Sequence, residues 1–205
     1  MPRRYPAALA LILLLGAGCG HSQDASVRDG DLVFQTSRSG QSVAIQRATH
    51  SQYSHMGIVF LRHGTAYVYE AIGPVQYTPL DRWAARGAGG HYVVKRLRNA
   101  ARLLTPTAVA RLRQVAERFR GRPYDFTFGW SDKRIYCSEL VWKIYRRGLG
   151  VRVGRLQKLG DFDLSDRLVR AKLRQRYGGH VPLDETVISP GAMFASPALK
   201  LVAKH

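Results

Sequence analysis

The sequence predicts one α+β domain, with strands in the first half of the chain and helices in the second. Short β-prone runs bounded by turn residues lie at 29–35, 54–61, 66–72 and 91–97. Apolar residues recur at helical spacing in two later segments, 105–121 and 137–148. The chain has 205 residues, of which 45% are hydrophobic, enough for one domain with its own core.

Turn residues set the predicted strand boundaries. Asp29-Gly30 precedes the first strand. Residues 62–65 have hairpin-turn composition and would pair the second strand with the third. Gly73 ends the third strand, and the glycine-rich stretch 87–90 separates it from the fourth. An antiparallel pairing of the second and third strands follows.

Capping residues bound the two longer helices. Thr105 suits the N-cap and Pro106 the first helical position, with Gly121 after the end. The second helix begins at Cys137 and is predicted to end at Gly148.

Weaker signals predict the remaining elements. Residues 42–49 and 80–86 read as short helices. Asp161 or Asp163 is expected to cap a basic amphipathic helix over 164–173. The tail reads as short turns with an edge strand.

The charge is strongly positive, with a formal net charge of +18, 25 Arg and 7 Lys. Either the protein is attracted to anionic surfaces, such as phospholipid headgroups or acidic cell-wall polymers, or it has a solvated basic face. The sequence has no zinc-finger spacing, RNP-type aromatic signature or basic tail. We therefore expect no nucleic-acid partner.

The N-terminus has the pattern of a bacterial export signal. A short basic region precedes an apolar run over 7–17, too short for a retained membrane span. The small residues before Cys19 resemble a lipobox, in which the cysteine is lipidated and becomes the mature N-terminus. No Asp follows Cys19, which by resemblance to sorting rules favours the outer membrane. The alternative is an ordinary secretory signal that leaves Cys19 as an unmodified thiol.

Cys137 is the most informative residue of the remaining chain. With Cys19 lipidated, it has no disulfide partner in an oxidising compartment. The start of a helix carries a partial positive charge that favours a thiolate. The hypothesis is a nucleophilic cysteine, and the alternative is a buried inert thiol.

A base and an orienting group are available for such a thiolate. His55 opens an apolar strand and is flanked by small residues. Glu70 lies in an otherwise apolar strand, where a buried carboxylate needs a partner. The hairpin would bring Glu70 to the level of His55. The alternatives are a satisfied histidine at a strand end and an edge-strand Glu facing water.

Further residues are weaker candidates. Tyr53, Tyr124 and Ser138 are candidates for contacts with the substrate or its oxyanion, and the amide of Cys137 is a candidate oxyanion donor. Cys137 has no Cys or His at ligand spacing, so no metal is predicted, and no cofactor is expected.

Five segments occur in an order typical of one enzyme family. They are 30–34, 51–59, 68–72, 121–125 and 136–141. With these segments the chain resembles the permuted papain-like amidases of the YiiX type, relatives of NlpC-type cell-wall peptidases and of lecithin retinol acyltransferase. His55 precedes Cys137, which is the circularly permuted order. The resemblance implies a cysteine-bearing helix packed on a small antiparallel sheet, with Cys137 as nucleophile, His55 as base and Glu70 as its orienter.

The predicted protein is an envelope-anchored cysteine hydrolase that cleaves an amide or ester through an acyl-enzyme. Its domains would be a lipoprotein signal peptide (1–18), a tether (19–28) and a catalytic domain (29–205). The expected partners are a peptidoglycan peptide or a lipid-derived acyl substrate, and the membrane through the lipid anchor, on the periplasmic face of the outer membrane. No obligate protein partner is evident. The alternatives are a lipid acyltransferase and a non-catalytic lipid-binding envelope protein.

Overall fold

The computed structural model describes residues 27–205, so Cys19 and the predicted signal peptide lie outside the described residues. The strands are β1 (Leu32–Gln35), β2 (His55–Arg62), β3 (Thr65–Glu70), β4 (Gln76–Pro79), β5 (Val93–Leu97), β6 (Gln157–Lys158), β7 (Thr186–Val187) and β8 (Leu199–Lys204). The helices are α1 (Ser42–Thr49), α2 (Leu80–Ala85), α3 (Ala100–Leu103), α4 (Pro106–Glu117), α5 (Cys137–Leu149), α6 (Arg167–Tyr177) and α7 (Pro190–Phe194).

Six strands form one sheet in the order β4-β3-β2-β1-β5-β8. Every neighbouring pair in it is antiparallel. The hairpin of β2 and β3 turns at His63-Gly64, inside the predicted segment. The two-residue strands β6 and β7 pair separately. The α+β fold with an antiparallel sheet is therefore confirmed.

The cysteine-bearing helix α5 packs against β2 and α4. Its fully buried side chains recur at helical spacing and include Leu140, Val141, Ile144 and Tyr145. Gly148 allows the close approach of α4, because a Cβ at this position would lie 3.0 Å from Leu112 Cδ2. The apolar face of α5 is thus fixed against the sheet, which fixes the position of its first residue.

Three predicted helix boundaries were wrong. The helix α4 ends at Glu117, and Gly121, with a φ of 76°, belongs to the turn beyond it. The helix α5 continues through Gly148 to Leu149, and the C-cap is Gly150, whose left-handed conformation suits glycine. Asp166 caps α6, since its Oδ1 accepts a hydrogen bond of 2.8 Å from Leu168 N.

Five elements were not predicted from the sequence. The strand β4 follows a Gly-Pro turn, β6 and β7 have two residues each, and α3 and α7 are only 4 and 5 residues long. Such short segments carry too few residues to show a period. The edge strand β8 agrees with the prediction for the tail. Within residues 27–205, we found no helix with the length and apolar character needed to cross a bilayer.

A buried ion pair joins β1 to β5. The carboxylate of Asp31 is fully buried and accepts two hydrogen bonds from Arg96, at 2.6 Å to Oδ1 and 2.7 Å to Oδ2. The backbone N–H of Arg28 donates a third, at 2.8 Å. Removing the guanidinium would leave a buried charge without its main compensation.

We therefore predict that Arg96→Met lowers the free energy of unfolding by about 3 kcal/mol. Denaturant unfolding followed by circular dichroism measures this loss. The matched control is Arg111→Met on the exposed side of α4, which should change the stability by no more than about 0.5 kcal/mol. Equal effects of the two substitutions would show that the ion pair does not stabilise the fold.

Candidate active site

Three elements bring the predicted catalytic residues together. His55 is the first residue of β2, Glu70 the last of β3, and Cys137 the first of α5. The antiparallel register places Ile58 opposite Tyr69, so the start of β2 lies level with the end of β3. The side chains of His55 and Glu70 meet across this pair.

Gly57 lets the two strands pack around the site without a side chain between them. A Cβ at this position would lie 2.3 Å from Val68 Cγ1 and 2.9 Å from Tyr69 O. Because both contacts are sterically excluded, only glycine fits here without a shift of β3. A shift of β3 would carry Glu70 with it.

Glu70 is a fully buried carboxylate with three partners. Oε2 lies 2.6 Å from His55 Nε2, and Oε1 accepts hydrogen bonds from Thr78 Oγ1, at 2.6 Å, and from the guanidinium of Arg86. Burial alone would raise the pKa of Glu70, but the hydrogen bond from His55, with those of its other partners, lowers it below its usual value. The ionised carboxylate therefore holds the imidazole in one orientation.

His55 is held between Glu70 and the thiol. Burial lowers its pKa, but hydrogen bonds to Cys137 and Glu70 outweigh that effect and raise the pKa from 6.5 to about 10. At neutral pH the imidazole is therefore expected to be protonated, because its hydrogen bonds with Cys137 and Glu70 favour the charged form. The imidazole thus lies between a carboxylate and a thiol, which is the arrangement that a cysteine nucleophile and its base require.

Cys137 lies at the N-terminus of α5 and is 3% exposed. Tyr136, the N-cap residue, makes no side-chain capping bond. Because Cys137 is the first residue of α5, its thiol lies close to the partial positive charge of the helix start. The backbone N–H of Cys137 stays the predicted oxyanion donor.

The other predicted residues have different surroundings. The hydroxyl of Tyr124 lies beside the thiol site and accepts a hydrogen bond of 3.0 Å from Gln41 Nε2. Ser138 Oγ donates to Ile188 O at 2.8 Å, which fastens the segment before α7 to the helix start. Tyr53 stacks on Phe194, with ring centroids 4.1 Å apart. Of the three, Tyr124 lines the cavities described below and Ser138 lines one of them.

Sequence reasoning missed several residues that support the site. Thr78 on the unpredicted strand β4 and Arg86 at the end of α2 both contact Glu70. Gln41 connects Arg176 to Tyr124. A threonine in a strand and an arginine after a helix are common, so no local signal marked them.

Two cavities meet at the site. An open cleft of about 930 Å³ is lined by His55, and a smaller, mainly apolar cavity of about 80 Å³ is lined by Cys137. The residues that line both are Ser54, Tyr124, Lys172 and Arg176. Cys137 and His55 therefore line different cavities, and the four shared residues form the rim between the two.

Comparisons with known proteins show the family of the chain and its fold. The family model described as "Permuted papain-like amidase enzyme, YaeF/YiiX, C92 family" matches residues 26–203. The chain is 54% identical over 176 residues to the protein described as "Uncharacterized protein YiiX" from Escherichia coli (strain K12), covering 86% of each chain.

A solved structure has the same fold. It is described as "Crystal structure of metalloprotein yiiX from Escherichia coli O157:H7, DUF1105" and is 54% identical to this chain. The TM-score is 0.83, and the match covers 87% of this chain and 97% of that one.

We predict that the imidazole of His55 stays protonated through the neutral pH range. Its NMR titration should show a pKa well above the usual value near 6.5, because Cys137 and Glu70 stabilise the charged form. Cys137→Ala removes one of these partners while burial remains, so the pKa should fall. The control is His180→Ala, at an exposed position before β7, which should leave the titration of His55 unchanged. An unchanged His55 titration in Cys137→Ala would contradict the proposed pairing.

Proposed function

The chain belongs to the C92 family of permuted papain-like amidases, and on this premise we propose that it is a cysteine hydrolase with a Cys137–His55–Glu70 site. The observation that carries the proposal is the double contact of His55, with Glu70 on one side and the thiol on the other. The family supports the hydrolase class, and the assignment of roles to these residues is ours.

The proposed reaction divides into two steps. The thiolate of Cys137 attacks the carbonyl carbon of an amide or ester, and the tetrahedral oxyanion forms beside the N-terminus of α5. When it collapses, the bond to the leaving group breaks and His55 gives that group its proton. A water molecule, deprotonated by His55, then attacks the thioester, which releases the acid and restores the thiolate.

Glu70 acts by positioning the imidazole. Its contact with Nε2 leaves the other ring nitrogen of His55 for the thiol, and its negative charge stabilises the protonated imidazole. Thr78 and Arg86 hold the carboxylate in turn. The proposed chemistry therefore depends on residues from β2, β3, β4, α2 and α5.

The solved relative is called a metalloprotein, which raises the question of a metal here. Among residues 27–205, no cluster of three His, Cys, Asp or Glu side chains is suitable as a metal site. At the catalytic pair, both oxygens of Glu70 already have hydrogen-bond donors, one of them the cationic Arg86. These residues do not fit a resident cation, so no step of the reaction is assigned to one.

The finer parts of the proposal are the substrate and the location. We propose that the acyl donor is a cell-wall peptide or a lipid-derived acyl compound, met by a protein anchored in the envelope through Cys19. The mainly apolar cavity beside Cys137 supports an apolar acyl group. The chain has 32 Lys and Arg but only 14 Asp and Glu, and this positive charge would attract it to anionic polymers or headgroups.

Mass spectrometry of the protein after exposure to envelope extract tests the acyl-enzyme. We expect an acyl adduct on Cys137 that is absent from Cys137→Ala. With a substrate so identified, His55→Ala should lower kcat/KM by about 10²- to 10⁴-fold, and Glu70→Gln by about 10²-fold. The exposed His180 provides the control, and His180→Ala should leave kcat/KM unchanged.

Two outcomes would decide against parts of this proposal. If Glu70→Gln, still folded by circular dichroism, turns over as fast as the native protein, Glu70 has no positioning role. If the acyl group passes to an added lipid alcohol in preference to water, the enzyme is a transferase. Product analysis with and without the acceptor separates these reactions.

The anchor is tested by growing cells that express the full chain with labelled palmitate. We expect the label to enter the protein and to be lost in Cys19→Ser, because the thioether to the lipid requires that sulfur. Cys137→Ser should keep the label. Equal labelling of Cys19→Ser and the native chain would refute lipidation at Cys19.

A further inference from the structure

The open cleft beside His55 has an unbalanced charge. Its lining includes four cationic side chains and no carboxylate. They are Arg38, Arg86, Lys172 and Arg176. Of these, Arg86 is compensated by Glu70 behind the cleft wall. The other three form no ion pair among the described residues.

Arg176 is the cation most firmly held in place. Its guanidinium donates to Gln41 Oε1 and lies 4.8 Å from the centroid of the Phe128 ring. The buried Asp125 influences Arg176 electrostatically, but it forms no ion pair with it and accepts hydrogen bonds from Thr127 instead. A half-buried, positioned guanidinium without a carboxylate partner is suited to bind an oxyanion of a ligand.

Lys172 adds a second charge on the same side of α6. It lies one helical turn before Arg176, and both line the rim shared by the cleft and the apolar cavity. Its exposed neighbour Arg174 on the same helix does not line either space. The positive charge of α6 is therefore directed partly at the site and partly at solvent.

The position of His55 determines which part of a substrate these charges would meet. In the proposed reaction His55 must reach the leaving group to protonate it. His55 lines the cationic cleft, whereas Cys137 lines the apolar cavity. The leaving group therefore belongs in the cleft, and the acyl group belongs in the cavity.

We infer that Lys172 and Arg176 bind an anionic group, a carboxylate or a phosphate, on the leaving-group side of the scissile bond. This inference rests on the proposed hydrolase function. The preferred substrate then joins a short apolar acyl group to an anionic amine or alcohol. The negative charge is recognised by the cations of the cleft, and the acyl chain is recognised by burial.

Three butanoate esters test this inference by changing only the leaving group. These are the esters of 4-hydroxybenzoate, 4-hydroxyphenylphosphonate and the neutral 4-hydroxybenzamide. We expect kcat/KM to be about 10-fold or more higher for the anionic esters, since hydrogen bonds to charged groups are stronger than those to neutral groups. The anionic ester with the higher kcat/KM shows whether a carboxylate or a phosphate is the preferred anionic group. The advantage should decrease with added salt.

Substitutions on α6 assign the preference to named residues. Lys172→Gln and Arg176→Gln should each lower the ratio of kcat/KM for an anionic ester to kcat/KM for the neutral ester, both measured on the same variant, towards one. Lys172→Glu should reverse the preference. Arg174→Glu makes the same charge change on the solvent side and should have little effect. Equal rates for anionic and neutral esters in the native protein would overturn the inference.

Binding to the inactive protein separates this inference from the proposed function. If no ester is hydrolysed, the hydrolase proposal fails for these substrates, and calorimetry with Cys137→Ala then decides the inference. Tighter binding of 4-hydroxybenzoate or the phosphonate than of 4-hydroxybenzamide, lost in the double variant with Lys172→Gln, would support an anion site. Equal binding of the anionic and neutral compounds would refute it.

Discussion

Glu70 places a full negative charge in the interior of the protein, and the arrangement of the site depends on its compensation. A buried carboxylate is costly unless its oxygens accept hydrogen bonds from suitable partners. Here the donors come from β2, β4 and the end of α2, in His55, Thr78 and Arg86. The requirement to satisfy one carboxylate therefore ties together three elements and leaves the imidazole facing the thiol.

The positions of His55 and Cys137 relative to each other depend on the packing of β2 against α5 more than on the order of these elements along the chain. The base lies 82 positions before the nucleophile, on an inner strand of the sheet. The first residue of α5 meets the start of β2 because the apolar face of the helix packs on that strand. The same pair forms whether the helix comes first or last, since packing and not connectivity sets their distance. The permuted order is thus compatible with the chemistry of the family.

The two cavities suggest how a simple catalytic pair acquires selectivity. Cys137 and His55 alone can act on many carbonyl compounds. The cavity beside Cys137 is mainly apolar and the cleft beside His55 carries cations, of which Lys172 and Arg176 lie on the boundary that the two share. Lys172 and Arg176 reach the rim between them because α6 lies along it. In the proposed reaction a substrate contacts both cavities at once, and two of the many basic residues of the chain lie where it would bind.

Local sequence patterns determined which residues were candidates for the chemistry. Cys137 lies at a predicted helix start, His55 opens an apolar strand, and Glu70 is the single acid in another, so each was recognisable from its neighbours. Only the tertiary structure showed that Thr78 and Arg86 are further partners of Glu70, because both belong to segments without a distinctive pattern. The same holds for the cationic cleft. An arginine at the surface and an arginine at a site look alike in a sequence, and the difference lies in the distances that packing sets between residues far apart in the chain.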